Sequence, residues 1–384
     1  MVYKYLKLFI CAIASVSTAP LSFISYGDWG AKNDNQKLVA DTIAKYTDTY
    51  NSSFNLVLGN NFYETGVTST NDKLWETNYK NVYKNNNPWY VVLGNHDYYG
   101  NVSAQIAYTG MDDRWNMPSN NYVIVRDNLK IIMLDTQILD PECSDVTADT
   151  ISKTNKYSPN SKAKIYKWLT NELRTYGQIK IVVGHAGIYS AGEHGNCNEL
   201  TTKLFPLLDS YNVDLYLHGH SHMLEYNSRN SLNMFGCGSA SKLAKYDELK
   251  FASEYTRYYR LDYGFCFHMV NIKNGKYNIV TKFINQDGDV LFQHDSNDMP
   301  YVNPADTSMY YILFRYLIII FGLITCLYCC HAVYLTQIYM EPNNIEHPGE
   351  YAPKYAPRYN PNILPTRNPH QHRLIDTGYG EGVL

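Results

Sequence analysis

Five times before residue 223, a short apolar run gives way to a loop of Gly, Asn, Asp and His. Residues 23–26 lead into Gly27-Asp28-Trp29-Gly30, residues 54–58 into Gly59-Asn60-Asn61-Phe62-Tyr63, and residues 89–93 into Gly94-Asn95-His96-Asp97. Residues 179–183 lead into Gly184-His185, and residues 213–217 reach Gly219-His220-Ser221-His222. Such runs, bounded by turn-forming residues, predict strands. Polar side chains of metal-binding type at several strand ends describe a site built along one edge of a sheet. Apolar spacing near the helical period predicts helices over 35–46, 161–176 and 198–211, with Ser161 as a cap. Further strands are expected at 122–126 and 130–134, joined by a hairpin turn at Asp127-Asn128, and at 233–237, 265–271, 277–284 and 290–294. Many strands mixed with helices predict an α/β fold of two packed sheets with helices outside. Residues 139–160 and 240–262 read as long loops.

The two ends of the chain have different patterns. Lys4 and Lys7, the apolar stretch 8–16 and the small residues Ser17-Thr18-Ala19 make residues 1–19 a secretory signal peptide. Residues 316–335 carry no Asp, Glu, Lys or Arg, and Arg315 stands at their edge. A run of this length fits a helix crossing a hydrocarbon core of about 30 Å. The organisation expected is therefore a signal peptide (1–19), a lumenal or extracellular domain (20–300), a linker (301–312), a transmembrane helix (313–335) and a cytosolic tail (336–384). The chain reads as a single-pass type I membrane protein of the secretory pathway, an inner membrane complex or the cell surface. The tail is polar, rich in Pro, Asn and Tyr, and expected to be disordered. Its Tyr351-Ala352-Pro353-Lys354 and Tyr355-Ala356-Pro357-Arg358 form a quasi-repeat on which a cytosolic partner could dock.

Composition supports a folded exported domain. Apolar residues make up 45% and charged residues 18%, enough to bury a core. The formal net charge is −3, and the absence of a basic run argues against a nucleic-acid partner. Cys143, Cys197, Cys237 and Cys266 lie in the exported part, so two disulfides are expected, with three pairings open.

The strand-end residues sort by chemistry. Asp28, Tyr63 and His222 offer a carboxylate, a phenolate and an imidazole, a set suited to Fe(III). Asn95, His185 and His220 offer an amide oxygen and two imidazoles, suited to Zn, Fe(II) or Mn. Two such ions make hydroxide near neutral pH and hold phosphate oxygens for in-line attack. His96 and His194 remain as candidate catalytic acids or phosphate-orienting groups.

The five motifs closely resemble those of the purple, tartrate-resistant acid phosphatases over about residues 21–295. Asn101-Val-Ser-Ala-Gln-Ile-Ala-Tyr, Arg114-Trp115-Asn116 and Glu193-His194-Gly195 belong to the same likeness. The resemblance implies a four-layer αββα metallophosphoesterase sandwich, a dinuclear metal centre and hydrolysis of phosphate monoesters. It also implies a Cys143–Cys197 disulfide and a glycan on Asn101, with Asn51 read as a second acceptor. A narrower likeness joins Phe235-Gly236-Cys237-Gly238-Ser239, Gly264-Phe265-Cys266 and the apolar C-terminal run to the glideosome-associated membrane anchor of apicomplexan parasites. It implies a Cys237–Cys266 disulfide and a receptor role for a motor complex. One departure stands out: Asn60 occupies the position of the family's metal-bridging Asp. A carboxylate offers an oxygen to each cation, whereas an amide has one neutral oxygen and an NH2 that does not coordinate. Weakened binding of at least one metal is expected, leaving either a slower phosphatase or a non-catalytic anchor.

Overall fold

The computed structural model describes residues 20–332 except 127, 145–146, 148–149, 151–160, 176–178, 247–248, 250–251, 274–275, 297–298 and 301–315. The expected signal peptide, linker and tail lie outside the described residues. The strands are β1 (Leu21–Tyr26), β2 (Asn55–Val57), β3 (Trp89–Val91), β4 (Trp115–Asn116), β5 (Tyr122–Arg126), β6 (Leu129–Met133), β7 (Ile179–Val183) and β8 (Leu215–His218). They continue with β9 (Leu224–Arg229), β10 (Leu232–Cys237), β11 (Thr256–Arg260), β12 (Gly264–Lys273), β13 (Lys276–Asn285), β14 (Val290–Asp295) and β15 (Met299–Pro300).

They form two mixed sheets. One runs β14-β13-β12-β1-β2-β3-β4, with β15 paired to β13; the other runs β11-β9-β10-β8-β7-β6-β5. The pairs β1–β2, β2–β3 and β3–β4 are parallel in the first sheet, as are β6–β7, β7–β8 and β8–β10 in the second. Alternation along β12 shows the layering. Phe265 and Phe267 meet Tyr46 of the helix Asp34–Tyr50 at ring distances of 5.4 and 5.7 Å. The intervening Cys266 faces the other way and bonds to Cys237 of β10, stapling one sheet to the other. On the second sheet, Lys130 reaches the Glu172 carbonyl of the helix Ser161–Leu173 at 2.6 Å. Helices therefore lie outside both sheets, and the core sits between and beneath them.

A buried aromatic cluster supports the strand ends that face the candidate site. Trp29, which follows Asp28, lies edge-on to Trp89 at 5.2 Å and to Phe62 at 5.5 Å, and its indole donates to Asn61 Oδ1 at 3.0 Å. All three rings are fully buried, so the loops carrying Asp28, Asn60 and Tyr63 rest on a rigid apolar floor.

The expected elements differ from the observed ones where polarity misleads. Strand β9 was not anticipated because it carries Glu225 and Asn227, both fully buried. Glu225 accepts from Ser190 Oγ at 2.7 Å and from Ala191 N at 2.9 Å, which is what allows a charge inside. Strand β11 falls in the expected loop 240–262; it is a polar edge strand with a register irregularity against β9. The helix expected at 198–211 is a π-helical turn, Leu200–Leu204, running into Phe205–Ser210, with Pro206 at the junction. Proline lacks the N–H that would continue the α-helical ladder.

The apolar C-terminal run is helical over 316–332, and its described residues are exposed. Among the described residues no helix is long and apolar enough to cross a membrane. Residues 313–315 and 333–335 of the expected span lie outside them.

Candidate metal centre

Strands β1, β2, β3, β7 and β8 present their carboxyl ends at one edge, where α/β sheets bind ligands. The chain turns sharply there. Asp28, Asn60, His220 and His222 all have positive φ, at 55, 51, 68 and 51°. Asp, Asn and His tolerate this left-handed conformation better than most residues, and four of the eight non-glycine residues that adopt it among the described residues lie at this edge. The loops also approach one another closely. A Cβ on Gly219 would lie 2.6 Å from Asp28 Oδ2, and one on Gly59, itself at φ 89°, would lie 2.6 Å from His185 Nδ1. Only glycine fits both places.

The seven expected ligand positions converge. Asp28 is fully buried; its Oδ1 accepts from Tyr63 OH at 2.7 Å and from Asn60 Nδ2 at 2.8 Å, and its Oδ2 from His220 N at 2.7 Å. His222 Nε2 lies 3.1 Å from Tyr63 OH and 3.4 Å from Asp28 Oδ1. His185 Nε2 lies 3.2 Å from Asn95 Oδ1, and the His185 and His220 rings are 5.0 Å apart. The two accessory histidines border the same pocket. His96 stacks obliquely on Tyr63 at 4.5 Å, with Nδ1 2.6 Å from the Glu64 carbonyl. His194 stacks on His220 at 3.9 Å.

Electrostatics divides these groups. Burial opposes charge on Asp28, but His185, His222 and the Tyr63 hydroxyl more than offset it and hold the carboxyl below its usual range. Burial, with the Asp28 charge adding to it, drives the Tyr63 phenol well above its ordinary value. Burial lowers His185 to about 4 and puts His220 well below its ordinary value. His222 is raised: burial works against it, but its contact with Asp28 and the Glu193 charge prevail.

Several residues contribute in ways the sequence left unassigned. Lys242 comes from the long segment 240–246, pairs with Glu64 at 2.8 Å and sits over the Tyr63 ring at 3.9 Å. Glu193 lies 3.2 Å from His194 and 3.7 Å from His222. Asp97, a motif residue without an assigned role, is fully buried and accepts from Gly94 N, Asn61 N and Gln105 Nε2 at 2.8–3.1 Å. It ties the loop after β2 to the loop after β3, and burial pushes its carboxyl up to about 6. The Cys143–Cys197 disulfide also forms, and Cys143 O lies 3.1 Å from His220 Nε2, so this bond fixes a wall of the site. Asp140 groups with the two cysteines, but sulfurs bonded to each other offer no thiolate to a metal.

A fold with strand-end ligands at this edge defines a class, and comparison with known proteins agrees. Residues 22–224 match the calcineurin-like phosphoesterase family, and the chain belongs to it. Within that family it is similar to the purple, tartrate-resistant acid phosphatases. It is 33% identical over 274 residues to the human tartrate-resistant acid phosphatase type 5, covering 66% of this chain and 83% of that one. It is 32% identical over 278 residues to purple acid phosphatase 3 of Arabidopsis thaliana, covering 65% and 72%. Among solved structures it resembles GAP50, the anchor in the inner membrane complex of Plasmodium, with a TM-score of 0.64 and 27% identity over 74% of this chain and 91% of that one.

The acid phosphatase relatives imply a dinuclear metal centre, and the two halves of this pocket fit it differently. His185 Nδ1 is 2.6 Å from the Leu58 carbonyl and His220 Nε2 is 3.1 Å from the Cys143 carbonyl. Carbonyls only accept, so those nitrogens carry hydrogen, and His185 Nε2 and His220 Nδ1 keep lone pairs. Imidazoles oriented through a second N–H on a carbonyl are the usual metal-binding arrangement. The half containing Asn60 does not fit. Asn60 Oδ1 accepts from His96 N at 3.0 Å, which fixes the amide and turns Nδ2 toward Asp28 and Tyr63. The group facing those candidate ligands is an NH2, which cannot coordinate.

Proposed function

We propose that the chain is a membrane-tethered acid phosphatase-like hydrolase of phosphate monoesters, its rate lowered by Asn60. The observation that carries this reading is the convergence of His185, His220 and Asn95 with both imidazoles aimed through hydrogen bonds to carbonyls. A divalent cation held there supplies a Lewis acid for a phosphoryl oxygen and a more acidic water. The protein's own groups do the rest. Lys242 places a positive charge at the mouth of the pocket, where a phosphate dianion enters. His96 gives Nδ1–H to the Glu64 carbonyl and retains Nε2 to hold or pass a proton at the leaving oxygen. His194, stacked on His220, lies on the side of Glu193.

The remaining sequence expectations join this reading. Residues 1–19 export the chain, residues 313–335 tether it, and the domain faces the lumen or the outside. The donor types alone suggest Fe(III) with Zn, Fe(II) or Mn; of these, only the divalent ion has a half of the pocket that fits it. Asn101 and Asn51 are both exposed and serve as glycan acceptors in this picture. The test is turnover of a generic phosphate monoester by the full chain in detergent at pH 4–8. Hydrolysis that disappears on chelation and returns with Zn2+, Mn2+ or iron is the expected result. Chelator-insensitive hydrolysis would overturn it.

A second reading has specific support. The Asn60 NH2 blocks half of the expected centre, and GAP50, the similar solved structure, is the anchor in the inner membrane complex of Plasmodium. On this reading the chain is a catalytically weak or inactive membrane receptor, with the span or tail holding a motor or other protein complex. Absence of turnover under every metal condition would favour it.

A further inference from the structure

We propose that this pocket holds one divalent cation, bound by Asn95, His185 and His220, and that the Asn60 amide takes the place of the second. The inference rests on the pocket being a metal centre, but it does not require turnover. It is carried by the donors and acceptors that each half presents.

In the half formed by Asp28, Asn60, Tyr63 and His222, every contact has a hydrogen to fill it. Tyr63 OH donates to Asp28 Oδ1 at 2.7 Å. Asn60 Nδ2 has two hydrogens and two acceptors, Asp28 Oδ1 at 2.8 Å and Tyr63 OH at 3.0 Å. Its oxygen is occupied by His96 N, so rotating the amide would set its NH2 against a backbone N–H. His222 Nε2 adds a third neighbour to the Tyr63 oxygen at 3.1 Å. A cation entering here must displace two donors from Asp28 and meet an NH2 where it needs an anion.

The other half is the reverse. His185 Nε2 keeps its lone pair, because Nδ1–H goes to the Leu58 carbonyl, and the Asn95 amide lies 3.2 Å from it. His220 Nδ1 is a third lone pair, on a ring 5.0 Å from that of His185. With the Asn95 oxygen turned toward it, a cation among these three groups meets only lone pairs. Two imidazoles and an amide oxygen suit Zn2+ or Mn2+ without a bridging carboxylate. Asn60 thus divides the pocket into a half filled by its own donors and a half that can accept a cation.

The test is metal content of the full chain by mass spectrometry after saturation with Zn2+ and desalting. The expected result is one equivalent in the wild-type chain, retained in His222→Ala and lost in His185→Ala. Asn95→Ala, at the first residue of the short helix Asn95–Tyr98 and outside the core strands, repeats the loss should His185→Ala misfold. Asn60→Asp is expected to bind two equivalents. Two equivalents in the wild type would overturn the single-cation inference and leave the metal-centre reading standing. So would loss on His222→Ala with retention on His185→Ala. No bound Zn2+ in any folded variant would overturn both.

Discussion

The Asn60→Asp variant is expected to hydrolyse a phosphate monoester faster than the wild-type chain by on the order of 10²-fold. Mutating the partners that merely orient metal ligands changes affinity or activity by about 10–100-fold, and a bridging ligand should matter at least as much. The new carboxylate would stand where Asn60 Nδ2 now lies 2.8 Å from Asp28 Oδ1. Without a cation, two carboxylates at that separation cannot both ionise comfortably. The variant should therefore gain activity with metal and lose thermal stability in chelator, while the wild type should change less between the two conditions. Steady-state kinetics and melting curves with and without chelator check this. Equal activity of the two proteins would show that Asn60 is no impediment.

His185→Ala is expected to lower kcat/KM by at least about 10²-fold. The residue is fully buried at the end of β7, with Thr136 Oγ1 accepting its backbone N–H at 3.1 Å and its ring aimed by the Leu58 carbonyl. Removing the imidazole takes one ligand from the retained half and leaves the Leu58 carbonyl without its donor. The unpaired carbonyl costs about 1–3 kcal/mol, so folding must be confirmed by circular dichroism. A folded variant with wild-type turnover would place the chemistry elsewhere.

The candidate site was legible in the sequence because strand ends concentrate it. Gly-Asp, Gly-Asn and Gly-His steps after apolar runs mark each loop, and all seven candidate ligand positions meet where those runs end. Both disulfides form as the family resemblances implied. Lys242 was not legible as a contributor because nothing local to it predicts contact with Tyr63, and Glu193, though part of a quoted motif, gave no sign of its contact with His222. Strand β9 was hidden because Glu225 and Asn227 look solvated in sequence, yet Ser190, Ala191 and Tyr189 supply their partners inside. The direction of the Asn60 amide was also beyond the sequence. The substitution alone predicts a weaker ligand; the His96 N–H shows that the oxygen is turned away altogether.

Anomalous diffraction from crystals of the metal-loaded chain would locate the bound cation. One peak is expected in this pocket, roughly 2.0–2.3 Å from His185 Nε2 and His220 Nδ1 and beside Asn95 Oδ1. A pocket without a peak, or a peak seated instead between Tyr63 and His222, would contradict it.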